Sequence, residues 1–178
     1  VLWCLAGGNE PLPLLRDQVR YLRQRGIPFM ESEQGKGRGV RISYNFYQFI
    51  EVGVAYNLLR QRIEPRLLEN LIEERTLYRN AYRQAYLELE PALFEDDPRL
   101  LSMLQNELTI SLYDRYSKSP GKIEMSLDPS NLGEHPFGGL FELHSDGSRT
   151  AVIALKSLVL SLIKLARIAP MTRPGPRT

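Results

Sequence analysis

The stretch Arg16-Asp17-Gln18-Val19-Arg20-Tyr21-Leu22-Arg23-Gln24-Arg25-Gly26-Ile27-Pro28 decides how the rest of the chain reads. It has the marks of a short helix with both ends signalled. Asp17 suits the N-cap, residues 18–25 the body, Gly26 the left-handed position after the last turn, and Pro28 the stop. Val19 and Leu22 fall three apart on one side, with the Tyr21 ring at the margin. Arg16, Arg20, Arg23 and Gln24 lie elsewhere and can face outward. The expected helix has an apolar back and a cationic front.

Downstream, residues 34–39 (Gln-Gly-Lys-Gly-Arg-Gly) read as a flexible basic tip. Residues 27–30 and 40–44 on either side, the second alternating as Val40, Ile42 and Tyr44, predict a β-hairpin with a long apex. From Arg16 to Arg41 seven basic residues (Arg16, Arg20, Arg23, Arg25, Lys36, Arg38, Arg41) face three acids (Asp17, Glu31, Glu33), although the whole chain carries only +2. Residues 84–98 carry five acids and no base. Such asymmetry points to a polyanion partner for the N-terminal part, with nucleic acid first. A protruding helix fits the major groove, and a basic hairpin tip can reach the backbone or minor groove beside it. The plainer alternative is a solvated charged helix next to an ordinary loop, since arginines also solubilise helices. Gly35-Lys36-Gly37-Arg38-Gly39 lacks both the Walker and the dinucleotide spacing, which argues against a nucleotide cradle.

Upstream of this basic region, residues 7–13 read as a loop. Ser43 or Asn45 opens a helix over about 45–61, with Phe46, Phe49, Ile50, Val54 and Leu58 at helical spacing. A long helix is predicted over about 65–89, with Leu67, Leu71, Tyr78, Tyr82 and Tyr86 in one row flanked by Leu68 and Ile72, wide enough to bury against something outside the monomer. Another helix is expected over about 98–117. Residues 122–127 alternate like a strand and residues 139–144 can pair with them. Ser148 or Thr150 caps a last helix to about residue 169, apolar apart from a stripe of Lys156, Ser157, Ser161 and Lys164. Two lysines inside that run argue against a membrane span. Residues 170–178 read as a disordered tail.

At 178 residues, 43% hydrophobic and 25% charged, the chain is neither disordered nor fibrous. One cysteine, Cys4, excludes an intrachain disulfide and any multi-cysteine metal site, and reads as a small buried hydrophobe. Residues 1–6 are apolar but lack the basic flank and length of a signal peptide. His135 and His144 match no triad, dyad or metal spacing with Asp146 or Cys4. No enzyme, cofactor or metal site is expected.

Residues 18–59 resemble the MerR family of winged helix-turn-helix regulators. The likeness lies in Gln18-Val-Arg-Tyr-Leu-Arg-Gln-Arg-Gly-Ile-Pro28, then Gly37-Arg-Gly-Val-Arg-Ile-Ser-Tyr44, then an apolar helix containing Phe49 and Leu58. The resemblance implies that residues 18–25 are the recognition helix and 30–42 the wing. It implies that Arg20, Tyr21 and Tyr44 anchor the phosphate backbone, and that Arg38 and Arg41 serve the wing. It covers about a quarter of the chain. The first helix of the motif is not recognisable before Asp17, and either lies upstream of Val1 or is replaced by residues 1–6. The effector cysteines of metal-sensing members are missing, so that sensing does not carry over.

The sequence therefore leads to a mostly α protein with small β elements. Residues 1–62 form a winged helix-turn-helix domain, 63–90 a long dimerisation helix, and 91–169 a small α+β C-terminal domain. The expected DNA contacts are Arg16, Gln18, Arg20, Tyr21, Arg23, Arg25, Lys36, Arg38, Arg41 and Tyr44. The expected dimer interface holds Leu71, Tyr78, Tyr82 and Leu158. The function that follows is sequence-specific binding of double-stranded DNA as a homodimeric transcriptional regulator in the bacterial cytoplasm, with RNA polymerase a further partner and no membrane. The alternatives are an excisionase-like protein that bends DNA, and a protein-interaction module working through its apolar C-terminal helix.

Overall fold

Helix α1 (Leu2–Leu5) is one turn that buries Cys4 and Leu5. Helix α2 follows over Pro13–Gln24 and buries Leu15, Val19 and Leu22, which recur at i, i+4 and i+7. It opens earlier than the Asp17 cap expected from sequence. Proline has no N–H to leave unpaired and is pre-set for the first helical position, so Pro13 starts the helix and Asp17 sits inside it. These are features of a computed structural model that describes residues 1–9, 13–29, 43–61, 63, 68–93, 109–114, 123–126, 139–143 and 149–169. The hairpin expected over 27–44 falls largely outside them, as does the tail.

The exit of α2 is as the sequence reads. Gly26 has φ +83°, the Gly26 amide donates to the Arg23 carbonyl at 3.1 Å, and the Ile27 amide donates to Leu22 at 3.0 Å. Those two bonds satisfy carbonyls that a helix end otherwise leaves open. The Ile27–Pro28 peptide is cis. Helix α3 (Phe46–Arg60) starts at an Asn45 cap, whose side chain accepts from the Gln48 amide while Gln48 Oε1 accepts from the Asn45 amide, both at 2.9 Å. From Ile50 to Ala55 every residue of α3 is buried, so this helix is central rather than amphipathic.

The expected helix over 65–89 is interrupted. A short α4 (Glu69–Glu73) gives way at Glu74 to α5 (Arg75–Leu93), which continues through Pro91. Then comes the larger correction. Residues 109–114, expected to be helical, form strand β1 (Thr109–Asp114), and the start of the expected last helix is strand β4 (Arg149–Ala154). With β2 (Ile123–Ser126) and β3 (Gly139–Leu143) they make an antiparallel sheet in the order β2-β1-β4-β3. Thr109 pairs with Ser126 on one side and with Ala154 on the other, and Leu143 pairs with Arg149. So β2 and β3, expected to pair with each other, are the two edges. Helix α6 (Leu155–Ile168) leaves β4 without a break.

Val19, Ile50, Leu58, Tyr82, Leu89, Ile153, Leu158 and Leu162 belong to one apolar cluster. The described residues are mostly helical, with one core drawing on all three segments that the sequence suggests as separate. Helix α6 lies so close to α3 that a Cβ on Gly53 would stand 2.5 Å from a methyl of Leu162. Polar ties join α6 to α5. Lys156, from the polar stripe of the helix, is buried and pairs with Glu88, and the Arg167 guanidinium donates to the Leu93 carbonyl.

Burial pushes the Glu88 carboxyl up, but hydrogen bonds from Lys156 and Gln84 and the Lys156 charge outweigh it, leaving the group below its ordinary 4.5. A carboxyl lowered by folding stabilises the native state above its unfolded value, and that contribution is lost as pH falls through the folded value. Glu88→Gln is expected to be less stable than wild type at pH 7 and to lose less on acidification below about pH 4.5. Urea midpoints at pH 7 and pH 3 measure this; parallel losses in both proteins would mean that Glu88 is not the group responsible.

Candidate nucleic-acid interface

On α2 the buried row leaves the opposite half of the helix to solvent, and Arg16, Arg20 and Arg23 are exposed there. Their i, i+4, i+7 spacing sets them in one stripe along the edge of the helix. Among the described ion pairs, only Asp17 meets this stripe, at 3.9 Å from Arg20 with both side chains some 70% exposed. Such a pair is weak and open to exchange for a phosphate. Arg23 also acts on Tyr44. Burial pushes the Tyr44 phenol up, and the Arg23 charge pulls against it. The Tyr44 ring packs on Phe29 with centroids 5.1 Å apart, so the segment entering α3 stands beside the C-terminal end of the stripe.

The other expected contacts separate from this stripe. Arg25 points away from it, donating to Glu69 at 3.0 Å and lying over the Tyr21 ring at 5.4 Å. Gln18 and Tyr21 are half-buried. Lys36, Arg38 and Arg41 lie outside the described residues. The four side chains expected at a dimer interface are a correction. Leu71, Tyr78, Tyr82 and Leu158 are each 1% exposed or less, covered by the chain itself. The tyrosine row reports burial, and the covering surface is intramolecular. Among the described residues, the large apolar side chains that do remain exposed are Leu14, Leu77, Leu87 and Ile168.

Sequence reasoning missed the polar group behind α2. Arg75, the first residue of α5, donates from Nε at 3.0 Å and from Nη2 at 2.8 Å to one oxygen of Glu51 on α3. The same Nη2 donates to the Gly26 carbonyl at 2.9 Å. Arg79, one turn on, reaches the second Glu51 oxygen at 3.7 Å and lies over the Tyr47 ring. The Arg75 and Glu51 side chains are 5% and 1% exposed. A signal was present: a carboxylate between Ile50 and Val52 in a run of apolar helix requires a cation, and Arg75 and Arg79 share a face.

A crevice between α1, α3 and α6, lined by Cys4, Tyr56, Asn57, Arg60, Leu158 and others, has a volume of about 10 Å3. That is room for one water molecule. Burial pushes the Cys4 thiol up, away from thiolate chemistry. Among the described residues no helix is long and apolar enough to cross a membrane. Comparison of the chain with protein-family models, curated proteins and solved structures gave no match.

Proposed function

We propose that the chain is a sequence-specific double-stranded DNA-binding protein and transcriptional regulator, with α2 as the helix that enters the major groove. The observation that carries the reading is the exposed Arg16, Arg20 and Arg23 stripe on a helix whose other side is anchored in the core. Guanidinium groups at that spacing follow a phosphate backbone, and a fixed helix presents them in register. The likeness of residues 18–59 to winged helix-turn-helix regulators supports the same use and adds a wing over 30–42, carrying Lys36, Arg38 and Arg41. One short helix covers few base pairs, so the reading includes a second copy of the chain on a second half-site. Among the described residues, the exposed Leu77, Leu87 and Ile168 are apolar side chains open to that contact. RNA polymerase as a partner and residence on the nucleoid follow from the regulator reading alone.

The test is a mobility shift against salt, with duplexes recovered from a random library by binding. Wild type is expected to lose affinity steeply as salt rises. Arg16→Ala, Arg20→Ala and Arg23→Ala should each lower the log–log salt slope by about one. Melting temperature should stay unchanged, because exposed charges contribute little to folding. A protein that shifts no duplex at low salt is not a DNA reader, and the interaction-module alternative would then stand.

A further inference from the structure

We propose that Arg75 is a positioning residue for DNA reading, fixing the exit of α2, and with it the arginine stripe, through the Gly26 carbonyl. The inference rests on the function proposed above. The amides of Gly26 and Ile27 close the last turn of α2, and the Gly26 carbonyl is taken by Arg75 Nη2 at 2.9 Å. That nitrogen and Nε hold Glu51 at 2.8 and 3.0 Å, so one guanidinium joins the end of α2, the middle of α3 and the start of α5. At the neighbouring residue, on the solvent side, Arg25 is held to Glu69 of α4 at 3.0 Å. The exit of α2, just past Gln24, is therefore held by the bond from the buried Arg75 to the Gly26 carbonyl, to which the exposed Arg25–Glu69 pair adds little. Rolling the helix about its axis would break that bond.

Arg75 is 4% exposed, so it cannot itself reach a phosphate. This separates orienting the stripe from adding to it. Lysine keeps the buried charge for Glu51 but has one nitrogen on a flexible stem, and cannot reproduce a planar fork serving two acceptors. The loss should fall on the discrimination between sequences, which needs the helix at one angle, and spare the phosphate attraction, which does not.

The experiment uses the full chain as wild type, Arg75→Lys and Arg20→Ala, with a duplex recovered by binding selection and a random duplex. Arg75→Lys should bind the selected duplex about tenfold more weakly, with random-duplex affinity and salt slope unchanged. Hydrogen exchange of the Gly26 and Ile27 amides should rise about tenfold, with α6 amides unmoved. Arg20→Ala should instead weaken both duplexes and lower the slope. The neutral pair Glu51→Gln/Arg75→Gln removes both fully buried charges, leaves Arg79 free to turn toward water, and repeats the measurement should Arg75→Lys not fold. An Arg75→Lys protein that keeps full preference for the selected duplex, or loses both duplexes in parallel, overturns the positioning role alone. A wild type that binds neither duplex overturns the function on which it rests.

Discussion

Glu51→Ala should lower the free energy of unfolding by about 3–5 kcal/mol, the usual effect of removing one partner from a buried ion pair. The carboxylate is 1% exposed and receives two bonds from Arg75, whose own side chain is 5% exposed. Without it the Arg75 charge stays buried against the Gly26 carbonyl alone, and Arg79 loses its nearest counter-charge at 3.7 Å. Arg79 is 24% exposed and can turn toward water; Arg75 has no such route. The apolar pair Glu51→Leu/Arg75→Met should recover stability to within about 1–2 kcal/mol of wild type, since it removes the charge and its desolvation together. Denaturant curves on the singles and the double complete the cycle. A Glu51→Ala midpoint close to wild type would show that the pair is solvated.

What the sequence made legible was what a few neighbouring residues decide. The Gly26 exit, the Val19 and Leu22 row of α2 and the cap of α3, at Asn45 rather than its alternative Ser43, depend on contacts within one or two turns, and each is found where the sequence allows it. Asp17 misled because it is a good cap in a place where Pro13 already starts the helix. Strand β4 was missed for a different reason. Ser148 and Thr150 look like caps before an apolar run, while Thr150, Val152 and Ile153 are β-branched and pair with β1 about forty residues away. The same distance problem hid the Arg75 grip, which joins residues 24 and 49 positions apart. Periodicity also told that Tyr78 and Tyr82 are buried without telling by what. Of the residues proposed to contact DNA, the density of arginine singled out the stripe, but only three-dimensional placement divides Arg23, in solvent, from Arg25, paired with Glu69.

Tyr82 offers the sharpest test of that burial. Its side chain is fully enclosed and its hydroxyl has no hydrogen-bond partner among the described residues. Tyr82→Ala should therefore cost about 3–5 kcal/mol, through lost burial and the cavity left behind. Tyr82→Phe removes only an unsatisfied hydroxyl, and should match wild type or exceed it by about 1 kcal/mol. Burial, with Glu51 and Tyr78 adding to it, holds the Tyr82 phenol well above its ordinary 10.0 against the opposing pull of Arg79 and Arg75. A phenol raised by folding stabilises the native state fully below the unfolded value and loses that contribution as pH climbs above it. Wild type should accordingly weaken above about pH 10, with Tyr82→Phe weakening less. Tyr82→Glu places a charge in the same enclosed space and should unfold the chain rather than separate two copies of it. Light scattering with circular dichroism distinguishes these outcomes. A folded Tyr82→Glu monomer derived from a wild-type dimer would return this tyrosine to an interface and overturn its place in the core.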